Sequence, residues 1–290
     1  MQTLTYDIAV ESRKTEFVLY PIGDIHLGAN DVAENKLRKL VNKIRANPNA
    51  RWIGGGDYCE CIKPSDTKRW DVESLPDWMF EGDAKAVKDR LRDVVSQQKN
   101  RFYKIFKPIK DKCIGLIEGN HETNVRKYHD IDHHGFMCNE MGVPDLQAEA
   151  FVTLRFIRQG SAVRIITIFV CHGAGGGRRL GAASNKLEDI AAFVRANIIL
   201  MGHTHQFTIT SPLVELGPAA KGDEECVQYL KYAANWGTWR LSYKAGSSTY
   251  TSRALYRPRP LSAVEIGIIP FRASTAKKDE VVIQLREVSL

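Results

Sequence analysis

Five short apolar runs, each meeting a glycine beside an Asp, Asn or His, constrain this chain more than any other feature. They are FVLYPI before Gly23-Asp24, WIGGG before Asp57, KCIGLIEG before Asn120-His121, VRIITIFV before Cys171-His172-Gly173, and NIILM before Gly202-His203-Thr204-His205. Apolar runs of this length bounded by turn signals read as buried strands that empty into loops. Residues 33–47 place Leu37, Leu40, Val41 and Ile44 at helical spacing and are stopped by Asn-Pro. Residues 84–106 read as one long amphipathic helix, and 185–196 as another. FVTLRFI (151–157) and VRIITIFV (163–170) read as a hairpin through Gln-Gly-Ser, and beyond 205 the pattern is mostly β, including 248–256. Residues 123–150 are polar and mixed. This order predicts an α/β fold of two packed sheets flanked by helices, with loops of one end carrying the chemistry. The chain reads as one domain over 1–290. The polar, aperiodic stretch 64–83, with two tryptophans, reads as a surface insertion.

The side chains at those strand ends are Asp24, His26, Asp57, Asn120, His121, His172, His203 and His205. Carboxylates, imidazoles and an amide oxygen suit borderline divalent ions such as Mn, Fe, Zn, Co or Ni better than thiolate-seeking ions. Without His121, the set is too large for one four-coordinate ion with an open position. It suffices for two ions if one carboxylate bridges. Two ions roughly 3.5–4 Å apart clamp phosphoryl oxygens and supply a hydroxide near neutral pH.

Charge agrees with an anionic substrate without requiring one: 41 Lys and Arg against 34 Asp and Glu give +7. A chain with 43% hydrophobic and 26% charged residues is neither disordered nor collagen-like. No apolar run approaches the roughly 20 residues of a membrane helix. The start, MQTLTYDIAVESRK, lacks the apolar core of a secretory signal, so a cytoplasmic location is expected. The six cysteines read as reduced, with Cys113 and Cys171 as small core residues.

The blocks GDIHLG (23–28), GGDY (55–58), GNHE (119–122), HG (172–173) and GHTH (202–205), in this order, resemble those of the calcineurin-like metallophosphoesterases. The resemblance spans 23–205 and implies a four-layer α-β-β-α sandwich with a dinuclear centre at the carboxyl ends of the strands. It makes Asp24, His26 and His205 ligands of a first metal and Asn120, His172 and His203 ligands of a second. Asp57 becomes the bridging carboxylate. The two divalent ions are expected to be Mn, with Fe, Zn, Ni, Co or Mg as alternatives. His121 is not a ligand in this pattern. It falls near the leaving-group oxygen as general acid or donor. Glu60 falls where many members keep an acid that orients this histidine.

Departures from the family narrow the substrate. Cys61 and Glu118 stand where the phosphoprotein phosphatases carry arginines that grip a doubly charged monoester. The D-x-HLG block is closer to the DNA-repair exonuclease branch. The Trp-bearing insertion, HGAGGGRR and SSTYTSR resemble phosphoesterases of phages and prophages. Arg178 and Arg179, after the glycines, are candidates for a phosphate clamp. The expected function is hydrolysis of a phosphodiester in DNA, RNA or a nucleotide, with nuclease and small-nucleotide diesterase both open. A phosphomonoesterase is the alternative, and a non-catalytic scaffold on the same fold a distant third. A homo-oligomer is left open.

Other residues have plainer readings. His129, His133 and His134 fall in no block and read as structural or exposed. Trp70 and Trp78 anchor the insertion or offer faces for base stacking. Trp236 and Trp239 read as packing near the site. Arg253, Arg257 and Arg259 read as a solvated edge or a phosphate track.

Overall fold

The computed structural model describes all residues except 130, 161, 177–178, 180, 219–225, 245–248, 250–251, 253–254, 256, 274–278 and 289–290. The described elements run β1 (Gln2–Ala9), β2 (Phe17–Ile22), α1 (Glu34–Ala46), β3 (Ala50–Gly54), α2 (Ala84–Arg92), α3 (Val94–Phe106), β4 (Cys113–Leu116), α4 (Asn120–His129) and α5 (His133–Met141). They continue with β5 (Glu149–Arg158), β6 (Ala162–Cys171), α6 (Ala182–Phe193), β7 (Ile198–Met201), β8 (Phe207–Ile209), β9 (Leu213–Pro218), β10 (Cys226–Trp236), β11 (Val264–Ala273) and β12 (Asp279–Glu287). One sheet has the order β12-β11-β2-β3-β4, with β2, β3 and β4 parallel. The other has the order β1-β5-β6-β7-β10-β8, with β6, β7 and β10 parallel and β9 pairing with the far half of β10.

Strand periodicity distributes side chains between separate cores. Phe17 and Leu19 of β2 face the other sheet, while Val18, Tyr20 and Ile22 face helices. In β7, Ile198 and Leu200 enter the layer between the sheets, and Ile199 and Met201 face α6. A strand buried on both faces must be apolar throughout, which is why these runs stand out in the sequence. The result is four layers: α1, α3 and α5, then the two sheets, then α6. This is the predicted sandwich.

Several elements differ from expectation. The helix predicted over 84–106 is two. Asp93 leaves helical geometry (φ −136°, ψ 65°), and its side chain accepts from Ser96 N at 3.3 Å to start α3. An aspartate caps a helix better than it continues one. The mixed stretch 123–150 contains most of α4 and all of α5, whose start is capped by Asp132 and whose end is Gly142 at φ 67°. The amino terminus is a strand, β1, paired in parallel with β5. Helix α6 begins at Ala182, and 194–196 lie beyond it. Of 248–256 only 249, 252 and 255 are described, and none of them is strand. The insertion packs on the start of α3, Leu75 and Met79 forming a small core with Val94 against which Trp70 and Trp78 pack. Trp78 also donates to Glu34 at 3.2 Å, so the anchoring reading holds for it. Among the described residues no helix is long and apolar enough to cross a membrane.

Candidate metal centre

The strands β2, β3, β4, β6 and β7 deliver their loops to one place. Each loop turns at once, and the turn falls on the functional residues themselves. Asp24, His26, Asp57, His203 and His205 all have left-handed backbone, with φ between 48° and 66°. Such a conformation costs of order 1–3 kcal/mol for a residue with a side chain, and the surroundings must impose it. Here Asp24 N donates to Gly56 O at 3.0 Å, and Ile25 N and His26 N donate to Asp57 O at 2.9 and 3.0 Å. Two glycines are required by close approach. A Cβ on Gly202 would lie 2.2 Å from the Trp236 ring, and one on Gly56 would lie 2.7 Å from the Gly119 backbone.

Three overlapping groups of possible ligands result. Asp24, His26 and His205 form one set and Asp57, His172 and His203 a second, while His26, Asp57 and His121 form a third that draws one member from each. His26 Nε2 and His205 Nε2 are 3.0 Å apart, and His203 Nδ1 and His172 Nε2 are 3.3 Å apart. Nitrogens about 2.0–2.1 Å from one ion lie about 3.0–3.4 Å from each other. The Asn120 side-chain oxygen is 3.0 Å from His172 Nε2 and 2.8 Å from His203 Nδ1, which adds it to the second set. Asp57 Oδ2 lies 3.2 Å from His172 Nε2 and 3.8 Å from His26 Nε2, so one oxygen faces both sets. Asp24 Oδ1 is buried without a hydrogen-bond donor and lies 3.4 Å from His205 Nε2. An orphaned buried carboxylate oxygen among imidazoles fits a cation. The residues present therefore fit two divalent ions.

Protonation follows from the same charges. Burial alone would raise the pKa of Asp57, but the imidazoles of His172 and His121 outweigh it and hold the group well below the usual carboxylate range. Burial disfavours protonated His172, yet the adjacent Asp57 carboxylate drives its pKa up to about 10. A cation displacing that proton would satisfy the same carboxylate. Burial lowers His26 to about 4, against the pull of Glu60. For His121, burial is likewise opposed, and the charges of Asp57 and Glu60 leave its pKa raised.

A supporting shell surrounds these residues, with contacts that the sequence did not reveal. Trp236 Nε1 donates to Asp24 Oδ2 at 2.7 Å and His203 N to the same oxygen at 2.9 Å, leaving Oδ1 to face His205. His172 Nδ1 sits 2.8 Å from Gly55 O, which places its proton there and its lone pair at Nε2. Buried Glu122 accepts from the backbone of Asp57, Tyr58, Cys59 and Gly119 at 2.9–3.2 Å and so shapes the Asp57 loop. Buried Arg240 bridges Asp31 and Glu60. Glu122 left a local trace as the last residue of GNHE, and Trp236 was expected to pack near the site but not to bond Asp24.

Two expectations are corrected. The Glu60 carboxylate does not orient His121. It lies 2.9 Å from His26 Nδ1 and 3.2 Å from Arg240 Nη1, and it is the Glu60 main-chain carbonyl that meets His121 Nδ1, at 2.5 Å. The Cys59–Cys61 turn, held by Glu122 and Gln98, fixes this reversal of side chain and carbonyl. Arg179 is exposed and does not line the site. Its carbonyl accepts from Gln206, which fixes the main chain while the side chain stays in solvent. Arg178 and Arg253 lie outside the described residues.

His26, Asp57, Asn120, His121, His203 and His205 open on a cavity of about 910 Å³, whose outer wall includes Lys68 and Ser74 of the insertion and Arg257 and Arg259 ahead of β11. A further grouping joins His134 and Cys138 of α5 to Asp145 in the loop before β5. His134 Nε2 and Asp145 form an ion pair at 3.0 Å, a structural role for this histidine.

No protein-family profile and no curated protein matches the chain. Among solved structures it is similar to the calcineurin-like phosphoesterase YfkN of Bacillus subtilis, at 12% identity over 93% of this chain and 90% of that one, with a TM-score of 0.41. It is also similar to Vps29 of Chaetomium thermophilum (12% identity, 93% and 94% covered, TM-score 0.34). A conserved Streptococcus pneumoniae protein described as a phosphoesterase is a further likeness (12%, 95% and 99%, TM-score 0.34).

Proposed function

We infer that this chain is a calcineurin-like metallophosphoesterase that hydrolyses a nucleic-acid or nucleotide-type phosphodiester with two divalent ions. The observation that carries the reading is the single Asp57 oxygen facing both ligand sets, 3.2 Å from His172 and 3.8 Å from His26. Asp24, His26 and His205 would hold one ion, Asn120, His172 and His203 the other, and Asp57 both. When bound, the pair supplies charge to polarise the P–O bonds and lowers the pKa of a bound water.

The chain's own groups do the rest. Glu60 and Arg240 lock the His26 ring, and Trp236 holds Asp24. His121 has its Nδ1 proton engaged by the Glu60 carbonyl and its Nε2 directed at the cavity, 4.0 Å from Asp57 Oδ2. It is placed to donate to the departing ester oxygen. Arg240, the buried guanidinium of the site, is already neutralised by Asp31 and Glu60. That favours a singly charged diester over a doubly charged monoester.

The test is metal analysis and turnover together. The purified chain dialysed against Mn should hold two ions and cleave a bis-aryl phosphate faster than the corresponding monoester. Asp57→Asn should lower turnover by more than 100-fold and weaken both ions, whereas His121→Asn should keep both ions and lose rate. One ion per chain, or a preference for the monoester, would overturn the reading.

A further inference from the structure

The cavity is lined, beside the carboxylates of Asp57, Glu60 and Asp71, by cations that form no ion pair with a described carboxylate. Lys68 of the insertion and Arg257 and Arg259 ahead of β11 all line it. Two other cations there are spoken for: Arg69 pairs with Asp66, and Arg240 with Asp31 and Glu60. Among the described residues no carboxylate pairs with Lys68, Arg257 or Arg259. Arg259 is half-buried, and burial pulls its pKa down with no counter-charge to oppose it. Partly desolvating a guanidinium without an anion is unfavourable. A guanidinium fork also matches a phosphate in two hydrogen bonds.

Both sides of the cavity's outer wall are tied to the loop that supplies Asp24 and His26. Arg259 N donates to Ser242 Oγ at 2.8 Å, and Leu241 N to Asp31 O at 2.8 Å. On the insertion side, Asn30 N donates to Ser74 O and Asn30 Nδ2 to Glu73 O, each at 2.7 Å. The backbone at Arg259 and at the insertion's Glu73 and Ser74 is thus tied to the loop that holds the candidate ligands, while the side chains of Lys68 and Arg257 are exposed. The cavity, at about 910 Å³, has room for more than a single phosphate ester.

We propose that Lys68, Arg257 and Arg259 form an anion subsite for a second phosphate, so that the preferred substrate is a diester with a further phosphate beside the scissile one. A 5′-phosphorylated dinucleotide or an oligonucleotide strand has this chemistry, and an isolated diester lacks it. The proposal rests on the phosphodiesterase reading of the same site.

Two measurements on the full chain test it separately from that reading. With Mn bound, kcat/KM is compared for thymidylyl-thymidine with and without a 5′-phosphate. The wild type should prefer the phosphorylated form about tenfold or more, Arg259→Gln and Lys68→Gln should each shrink that ratio, and the double variant should bring it near one. Arg259→Lys should keep part of it. Without metal, thymidine 3′,5′-bisphosphate should bind, and the double variant should bind it at least fivefold more weakly while melting at the wild-type temperature. A ratio near one in the wild type, a ratio unmoved by the double variant, or no bisphosphate binding would overturn the subsite. If neither dinucleotide is cleaved but bisphosphate binding depends on Arg259 and Lys68, the diesterase reading fails and the subsite stands.

Discussion

At the scale of single residues, Glu122 shows how one buried carboxylate can hold the loop that carries Asp57. Its two oxygens take four backbone N–H groups, from Asp57 and Gly119 on one side and Tyr58 and Cys59 on the other. Glu122→Gln would set an amide NH2 against two of those donors, leaving them buried and unpaired at about 1–3 kcal/mol each. The expected outcome is a loss of roughly 2–4 kcal/mol in chemical denaturation and weaker Mn binding. A variant with wild-type stability and wild-type metal affinity would remove Glu122 from this role. The seven candidate ligands could be picked out in the sequence because each lies within three residues of a glycine at the end of an apolar run. Trp236 was legible only as packing near the site and Arg240 not at all, since their partners Asp24 and Asp31 lie more than 200 positions away. Glu60 was legible as a position but not as a direction: nothing local says that its carbonyl rather than its carboxylate meets His121.

At the scale of elements, β2, β3 and β7 were legible because burial on both faces leaves continuous apolar runs, and β6 because it is apolar even where Val163 and Ile165 are exposed. Helix α5 was not, because its buried residues, Met137, Cys138 and Met141 with two histidines, give no apolar stripe. Met137, Cys138 and Met141 pack into the core shared with α1 and α3, and a polar contact adds to them. His134 reaches Asp145 at 3.0 Å and lies parallel to the Tyr58 ring, 6.4 Å centre to centre. Burial opposes protonation of His134, but the hydrogen bond to Asp145 prevails and raises its pKa to about 10. A folded-state pKa above the unfolded value of roughly 6.5 stabilises the fold fully below that pH. That stability is lost as pH rises from there through about 10. Because Asp145 is partly exposed, the effect should be about 1–2 kcal/mol rather than the full shift. The melting temperature of the wild type should therefore fall more steeply between pH 6.5 and 10 than that of His134→Gln. Parallel slopes for the two proteins would mean that the pair does not carry the charge described here.

At the scale of the whole molecule, the centre is also a joint between the two sheets. Asp24, His26, Asp57 and Asn120 come from loops of the sheet containing β2, β3 and β4, and His172, His203 and His205 from the sheet containing β6 and β7. Without cations, burial disfavours the Asp24 carboxylate and His205 and His172 offset it, leaving its pKa lowered although Asp57 opposes them. Cations would add charge at this joint and link loops of both sheets, so binding should act on global stability and not only on the loops. A ligand held only by the folded state at 100 times its Kd adds about 2.7 kcal/mol, and two ions act in succession. The melting temperature should rise by several degrees with excess Mn and return on chelation. Asp57→Asn should lose most of the rise, because it faces both ligand sets. His121→Asn should keep it, because its Nδ1 is taken by the Glu60 carbonyl and its Nε2 stands 4.0 Å from Asp57. If Mn leaves the melting temperature unchanged, or if His121→Asn abolishes the rise as fully as Asp57→Asn, then the cations do not join the sheets through the residues assigned here.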